Sequence, residues 1–469
     1  MSTGADRDAV CQAALAGGSL RDPPGRRWIK LARVTDTATT LRPDRALRRN
    51  QLRAVISASV GTTIEWYDFF LYGVAAATVF PQKFFPSSDP FIGTMLSFTT
   101  FFVGFVARPI GGAIFGHFGD RVGRKKLLVL TMIVMGASTM AVGLTPSYEV
   151  IGIWGAVFLT IGRVLQGLAI GGQWSGSVLM AAEWTDPKRR GFTTSFAQVG
   201  APAGMVLANG ALALMTAFTT DQAFLDWGWR IPFLASVALV ITGFYIRSGV
   251  KETPVFEELK KAGAVVKAPL VKVLRENGRE VALTALLRTS QQVCFYIFTT
   301  YILTYATTVL GFGRGLVLNM VMTMALVSCF ANPLFGHLSD LYGRRTITAV
   351  GCAIMIVFPF LYFGMLDTRS LPLVFLAIVL SNPVQDLQYG PQAAFIAESF
   401  PGSVRYSGSA LGYQLASITA GGPAPLIATF LLREYGTSTA IAVYISLCSV
   451  LSLICVFLLK EHRGDRDHQ

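Results

Sequence analysis

Apolar runs and short polar breaks alternate along the chain, with runs at roughly 53–79, 92–116, 127–146, 151–179, 192–217, 231–248, 281–309, 315–338, 346–366, 371–396, 406–432 and 438–460. A helix needs about 20 apolar residues to cross the bilayer core. In lipid, only helices or closed barrels satisfy their own backbone polar groups. The pattern therefore predicts an all-α integral membrane protein with 12 transmembrane helices. Residues 1–50 ahead of the first run are polar, rich in Arg, Asp, Pro and Thr, and lack the apolar stretch of a cleaved signal. They read as a disordered tail. Between runs six and seven, residues 249–280 are hydrophilic and contain Glu257-Glu258-Leu259-Lys260-Lys261, which reads as a surface-lying helix plus linker. That segment separates a first bundle, 51–248, from a second, 281–460, and 461–469 form a short tail.

The two bundles repeat. The polar block Gly116-His117-Phe118-Gly119-Asp120-Arg121-Val122-Gly123-Arg124-Lys125-Lys126 returns as Gly336-His337-Leu338-Ser339-Asp340-Leu341-Tyr342-Gly343-Arg344-Arg345, again between two apolar runs. A second landmark, Glu183 with Arg190 seven residues on, returns as Glu398 with Arg405 at nearly the same offset. Two landmarks at one offset predict two parallel six-helix repeats.

Composition agrees and narrows the class. Hydrophobic residues make up 52% and charged residues 14%, with mean hydropathy +0.51; soluble domains carry about 25% charged residues. The net charge of +13 raises the question of nucleic acid, and its placement answers it. With the N-terminus inside, about 31 Lys and Arg fall in cytoplasmic segments and about five in outer loops, as the positive-inside rule requires. The expectation is a multi-pass protein of the plasma (inner) membrane with both termini cytoplasmic, bound to lipid and not to nucleic acid. The six cysteines show no disulfide or metal spacing, and the four histidines lie outside the middles of the runs. No metal, no cofactor and no enzymatic constellation is expected.

Ionisable residues inside the runs are the candidates for function, because a charge in lipid is costly unless it faces a cavity or a partner. Glu65 and Asp68 are three apart on one helical face of the first run, where a carboxyl can carry a proton. Arg108 lies about 12 Å of helix before Gly116, next to Pro109. Its guanidinium suits a carboxylate substrate through a bidentate pair, or a structural pair with Glu65 or Asp68. Arg163 and Gln166, one turn apart, either steer a proton or substrate or tie the fourth run to its neighbours. In the second half, Arg288 and Asp386 read as cavity-lining charges or as one buried salt bridge. Gln291, Gln292, Tyr296, Gln385, Tyr389 and Gln392 lie near them by helical spacing. Tyr72, Gln173, Tyr413 and Gln414 complete the candidate cavity. His117 and His337 read as solvated helix ends, and Gly111-Gly112, Gly171-Gly172 and Gly421-Gly422 as sites of close helix packing.

The repeated block resembles the loop between the second and third spans of the major facilitator superfamily, whose pattern is roughly G-x-x-x-D-R-x-G-R-K/R. Arg163-Val164-Leu165-Gln166-Gly167 resembles that superfamily's R-x-x-Q-G motif. Four further stretches are similar to the metabolite:proton symporter family, which includes shikimate, α-ketoglutarate, citrate and proline/betaine carriers. They begin at Gly61-Thr62-Thr63-Ile64-Glu65-Trp66-Tyr67-Asp68, Phe105-Val106-Ala107-Arg108-Pro109, Gly167-Leu168-Ala169-Ile170-Gly171-Gly172-Gln173-Trp174 and Trp227-Gly228-Trp229-Arg230. The resemblance implies proton-coupled uptake of a small organic anion by a monomer that alternates access, or of a zwitterionic osmolyte such as proline or betaine. It also implies a cytoplasmic gate of Gly116, Asp120, Arg121, Gly123, Arg124 and Glu183 with Asp340, Gly343, Arg344 and Glu398. In that gate Asp120 and Asp340 cap the helices that follow them, and Arg121, Arg124 and Arg344 bridge the halves. The second copy, with Leu341 in place of Arg121, is expected to be the weaker lock. The chain departs from the family at Gln173, where a glutamate is usual, and at Gln291 and Gln292, which stand where a carboxylate is expected.

Overall fold

The computed structural model describes residues 45–86, 90–263 and 266–461. The expected tail, apart from 45–50, and residues 462–469 lie outside the described residues. The first half is built of α1 (Arg45–Thr78), α2 (Pro90–Val122), α3 (Arg124–Leu144), α4 (Ile153–Glu183), α5 (Arg190–Phe218) and α6 (Arg230–Ser248). Residues 45–50 thus continue the first helix. In the second half, α7 occupies 278–309 in pieces: Gly278–Leu287, Thr289–Tyr296, and π-helical turns over Ile297–Tyr301 and Tyr305–Val309. It is followed by α8 (Arg314–Tyr342), α9 (Arg344–Asp367), α10 (Leu371–Glu398), α11 (Arg405–Tyr435, with a π turn at Ser417–Gly421) and α12 (Thr439–Leu458). Among the described residues, ten helices are long and apolar enough to cross a membrane. The other two spans are α1, whose hydropathy is lowered by Glu65 and Asp68, and α7, which is broken. No strand occurs among the described residues.

The linker folds as two short helices, Pro254–Lys261 and Pro269–Glu276. Each carries proline in its first turn, where the missing N–H costs nothing; the first buries Phe256, the second Pro269 and Val273.

Small residues set the distances between helices. A Cβ on Gly111 would lie 2.0 Å from the Leu168 carbonyl oxygen, and one on Gly171 would lie 2.2 Å from that of Arg108. The backbones of α2 and α4 therefore touch, as the glycine pairs predict. The halves meet along two related seams, α2 against α11 and α8 against α5. At the first seam a Cβ on Gly116 would fall 2.9 Å from Ser407 Cα, and one on Gly119 2.5 Å from the Tyr406 ring. At the second, a Cβ on Gly336 would lie 2.5 Å from the Gly191 carbonyl oxygen, and one on Gly191 2.5 Å from that of Gly336.

Candidate functional site

The repeated polar blocks sit at one end of the two seams. Gly123 and Gly343 adopt φ of 116° and 102° with ψ near 150°, a region essentially restricted to glycine. This turns the chain sharply from α2 into α3 and from α8 into α9. Asp120 accepts hydrogen bonds from Tyr406 N (3.3 Å), Ser407 N (2.9 Å) and Ser407 Oγ (2.8 Å). Asp340 accepts from Gly191 N (2.9 Å) and Phe192 N (2.7 Å). Each aspartate therefore caps a helix of the opposite half, α11 or α5, and not the helix that follows it. The following helices are capped by residues the sequence did not point to. Glu252 accepts from Arg124 N (3.1 Å) and Lys125 N (3.2 Å), and Glu461 from Arg344 N (2.7 Å). Both acids come just after the last helix of their half, and that shared position is the signal by which they could have been found.

The buried arginines complete each block. Arg124 lies 3.3 Å from Glu183 and 3.8 Å from Asp120, donates to the Gly402 carbonyl across the seam at 3.3 Å, and stacks on Phe256. Arg344 lies 2.6 Å from Asp340 and 3.4 Å from Glu398. Arg405 reaches Glu183 across the seam at 3.9 Å. Arg121 does not bridge the halves: it is exposed and lies 3.3 Å from His117. Leu341 therefore stands where the first copy has an arginine that does not bridge, and Arg344 lies closer to Asp340 (2.6 Å) than Arg124 does to Asp120 (3.8 Å), with the glutamate distances nearly equal at 3.4 and 3.3 Å. The expectation of a weaker second lock has no basis in these distances.

Deeper in the first half, a directed chain of donors runs between helices. Arg163 Nη1 donates to Gln166 Oε1 (3.2 Å), Gln166 Nε2 to Thr139 Oγ1 (2.8 Å), and Thr139 Oγ1 to Asp68 Oδ2 (2.8 Å). Thr139 of α3 is the link that sequence reasoning missed. The Arg163 guanidinium also lies over the rings of Tyr72 (4.5 Å), Phe101 (4.6 Å) and Phe69 (4.9 Å). Arg108 lies over Phe69 (4.5 Å) and Phe105 (4.6 Å). Among the described residues it makes no salt bridge with Glu65 or Asp68. Its charge is held by aromatic faces, which stabilise a desolvated cation by about 2 kcal/mol and leave its N–H groups for another acceptor.

Glu65 Oε2 is buried without a hydrogen-bond partner, within Coulombic reach of Arg108, Arg247 and Arg288. Arg247 was not singled out from sequence, because its place near the end of the sixth run read as one more positive-inside anchor. It is buried, donates to the Leu128 carbonyl (2.5 Å) and Ser177 Oγ (3.4 Å), and lies so close to α1 that a Cβ on Gly61 would be 1.8 Å from it. Gln173 donates to the Gly61 carbonyl at 2.9 Å, while its own Oε1 is unpartnered.

From the second half, Arg288 donates to the Tyr413 carbonyl (2.5 Å) and Ser417 Oγ (3.4 Å) and covers the Tyr413 ring. The Gln292 amide orientation that satisfies both its ends puts its oxygen 2.7 Å from Arg288 Nη2. Tyr413 stacks on Trp174 of α4 with centroids 3.4 Å apart, and Tyr389 Oη lies 3.5 Å from Tyr413 Oη. Tyr296 packs against Phe105 at 5.4 Å, and Gln414 donates to the Ile170 carbonyl at 3.3 Å. The structure therefore brings Glu65, Arg108, Arg247, Arg288, Tyr296, Tyr389 and Tyr413 to one locus between the halves. Asp386 is not part of it. Asp386 accepts a short hydrogen bond from Ser328 of α8 and forms no pair with Arg288, so the single-salt-bridge reading fails. Gln291, Gln385 and Gln392 are buried with unpartnered amide atoms.

The locus and the adjoining Arg163–Asp68 chain together carry four buried guanidiniums, Arg108, Arg163, Arg247 and Arg288, and two buried carboxyl groups, Glu65 and Asp68. A guanidinium buried without its own counter-charge is costly unless it faces a cavity or a partner.

Comparison with known proteins fits this architecture. The Major Facilitator Superfamily profile matches residues 58–424. The chain is 40% identical over 434 residues to the inner membrane metabolite transport protein YhjE of Escherichia coli K12, covering 91% of this chain and 98% of that one. It is 38% identical over 436 residues to the E. coli K12 shikimate transporter, covering 91% and 99%. The proton:xylose symporter XylE of E. coli, solved with 6-bromo-6-deoxy-D-glucose, superposes with a TM-score of 0.72 at 16% identity, covering 89% of this chain and 97% of that one. With two repeated six-helix halves, paired polar blocks at one end of their seams and relatives aligned over nearly their whole length, this chain is a multi-pass membrane transporter, not an enzyme, and belongs to the major facilitator superfamily.

Proposed function

We propose that the chain takes up a small organic anion, a shikimate-like acid or a di- or tricarboxylate, together with protons, by alternating access across the inner membrane. The observation that carries this reading is the excess of buried guanidiniums between the halves. The organic anion itself supplies negative charge beside these guanidiniums and can leave again, whereas a neutral substrate would leave the excess of buried cations uncompensated in a low-dielectric site. The likeness to the shikimate transporter supports the same substrate class.

In this reading Arg288 and Arg108 hold the carboxylate from opposite halves. Glu65, unpartnered and close to three cations, exchanges its proton as substrate enters, and Asp68 does so through Thr139 and Gln166. Residues 51–248 and 281–460 are the two moving bodies, joined by 249–280. The end bearing the repeated blocks faces the cytoplasm, as do both termini, and the working unit is a single chain. The Asp120 and Asp340 caps close that end while the site opens outward, and they must break for substrate release.

The test is uptake of a panel of radiolabelled carboxylates, with proline and betaine included, into vesicles bearing an imposed inward proton gradient. Accumulation of a carboxylate that collapses when a protonophore is added is expected. Accumulation indifferent to the protonophore would refute proton coupling, and transport of proline or betaine alone would move the chain to the osmolyte carriers.

A further inference from the structure

We infer that Tyr413 is a positioning residue that closes the site toward the repeated blocks, and that Arg288 holds it shut. Tyr413 lies on α11 about 10 Å of helix further in than Tyr406, whose amide Asp120 caps. The Arg288 guanidinium is 3.0 Å from the centroid of its ring, and the Trp174 indole is stacked on it at 3.4 Å and 17°. Two groups so close to one centroid occupy opposite faces. Arg288 belongs to the same half as Tyr413 and Trp174 to the other, so the stack crosses between the halves. Trp174 Nε1 donates to Gln198 Oε1 (2.8 Å), and Gln198 Nε2 donates to the Tyr389 carbonyl of α10 (3.1 Å). Next to Tyr413, Gln414 donates to the Ile170 and Gly171 carbonyls of α4 (3.3 and 3.4 Å). The stack and the bonds that Gln198 and Gln414 make across to the other half are lost when the halves part. The offset that relates Glu183 to Glu398 also relates Trp174 to Tyr389 and Gln198 to Tyr413. Of these two related contacts one is a ring stack and the other a single amide bond, and the ring stack is the one that Arg288 covers.

Arg288 also braces the turn that carries the ring. α11 becomes π-helical at Ser417–Gly421. Just before it, the Ser417 N–H donates to the Gln414 carbonyl, a tighter bond than the α-helical one, while the Tyr413 carbonyl accepts from Arg288 Nη1 (2.5 Å). Ser417 Oγ accepts from the same Nη1 (3.4 Å) and donates to Gln414 Oε1 (3.3 Å). One edge of the guanidinium is still open, because among the described residues its Nε is buried without a hydrogen-bond partner. The next step rests on the reading that Arg288 holds the carboxylate. An anion paired through Nε draws positive charge away from the Tyr413 ring and competes with the Tyr413 carbonyl for the guanidinium. The ring then loses its brace while substrate is bound, so loading of the site releases the gate. Tyr413 needs no contact with the substrate for this; it acts through Arg288 and the seam.

The test reads alkylation of Val404→Cys, a position fully buried at the start of α11, in the full-length chain without substrate. Tyr413→Leu should label about tenfold faster than the parent, the population change that one stacked aromatic pair supports. Tyr413→Phe keeps the ring and gives up only the 3.5 Å contact to Tyr389 Oη, and should label at the parent's rate. Arg288→Gln should label about tenfold faster, yet add less than about twofold in the Tyr413→Leu background, because both act on one contact. Equal acceleration by Arg288→Gln in both backgrounds, or none in either, overturns the proposal. So does Tyr413→Phe labelling as fast as Tyr413→Leu. The same cycle with Trp174→Leu gives a second reading of the stack should Tyr413→Leu fail to fold. These rates need no substrate, so they judge the gate even if uptake shows that no carboxylate is carried. If one is carried, saturating it should speed labelling of the parent and leave Tyr413→Leu unchanged; an unchanged parent rate overturns the link from anion to gate.

Discussion

Asp120→Asn isolates the contact between one repeated block and the opposite half. The carboxylate accepts three hydrogen bonds from the first turn of α11 and lies 3.8 Å from Arg124. Asparagine keeps one oxygen, enough for the Ser407 donors, but turns an amide N–H toward Tyr406 N and removes the charge. Hydrogen bonds to charged groups contribute about 1.5–3 kcal/mol, against about 1 kcal/mol for neutral ones. The net loss is then about 2 kcal/mol, at the upper end of what a lost helix cap costs. Because these bonds exist only while α2 and α11 meet at this end, the loss falls on one state of the carrier. Each 1.4 kcal/mol is tenfold in population, so the closed form should lose about 30-fold. Val404 is fully buried beside the capped turn. In Val404→Cys, alkylation read peptide by peptide should run roughly 10–30-fold faster when Asp120→Asn is added. A labelling rate within twofold of the parent, with Tm lowered, would show that the cap only supports the fold, and the gating argument would be refuted.

Three other outcomes follow from the same geometry. Arg288→Gln and Arg108→Gln should each raise KM for a carboxylate substrate by about 10–100-fold, the equivalent of one charged hydrogen-bonded contact; KM values equal to the parent's would remove that arginine from the binding site. Asp68→Asn should abolish accumulation driven by a proton gradient while sparing exchange of labelled for unlabelled substrate, and full gradient-driven accumulation would exclude Asp68 from coupling. Glu252→Gln should cost about 1 kcal/mol through the α3 cap and lower Tm without changing KM; an unchanged Tm would show that water replaces the cap.

Much of the site was legible because each polar residue in an apolar run carries its own solvation cost. Glu65, Asp68, Arg108, Arg163, Gln166 and Arg288 are all buried, as their positions between apolar neighbours require. Arg247 escaped notice because an arginine near the end of a run is locally indistinguishable from one that reaches the membrane surface. Thr139 escaped because a threonine in a membrane helix ordinarily satisfies itself on its own backbone, as Thr139 partly does on the Met135 carbonyl. Partners were the least legible. Asp120 and Asp340 were recognised as caps, but the helix each one caps lies in the other half, and the helices next to them in sequence are capped by Glu252 and Glu461.

The amino-acid order by itself determined the all-helical class, the twelve spans, the twofold repeat and the identity of the buried charges. Each of these depends on the free energy of moving a residue or a run of residues out of water, which local composition sets. Only the tertiary structure decided which charges meet: Arg124 with Glu183 and Gly402, Arg163 with Asp68 through Gln166 and Thr139, and Arg288 with Gln292 and Tyr413. Those meetings depend on which glycine-lined helix faces come into contact, a property of the assembled helices that no single span contains.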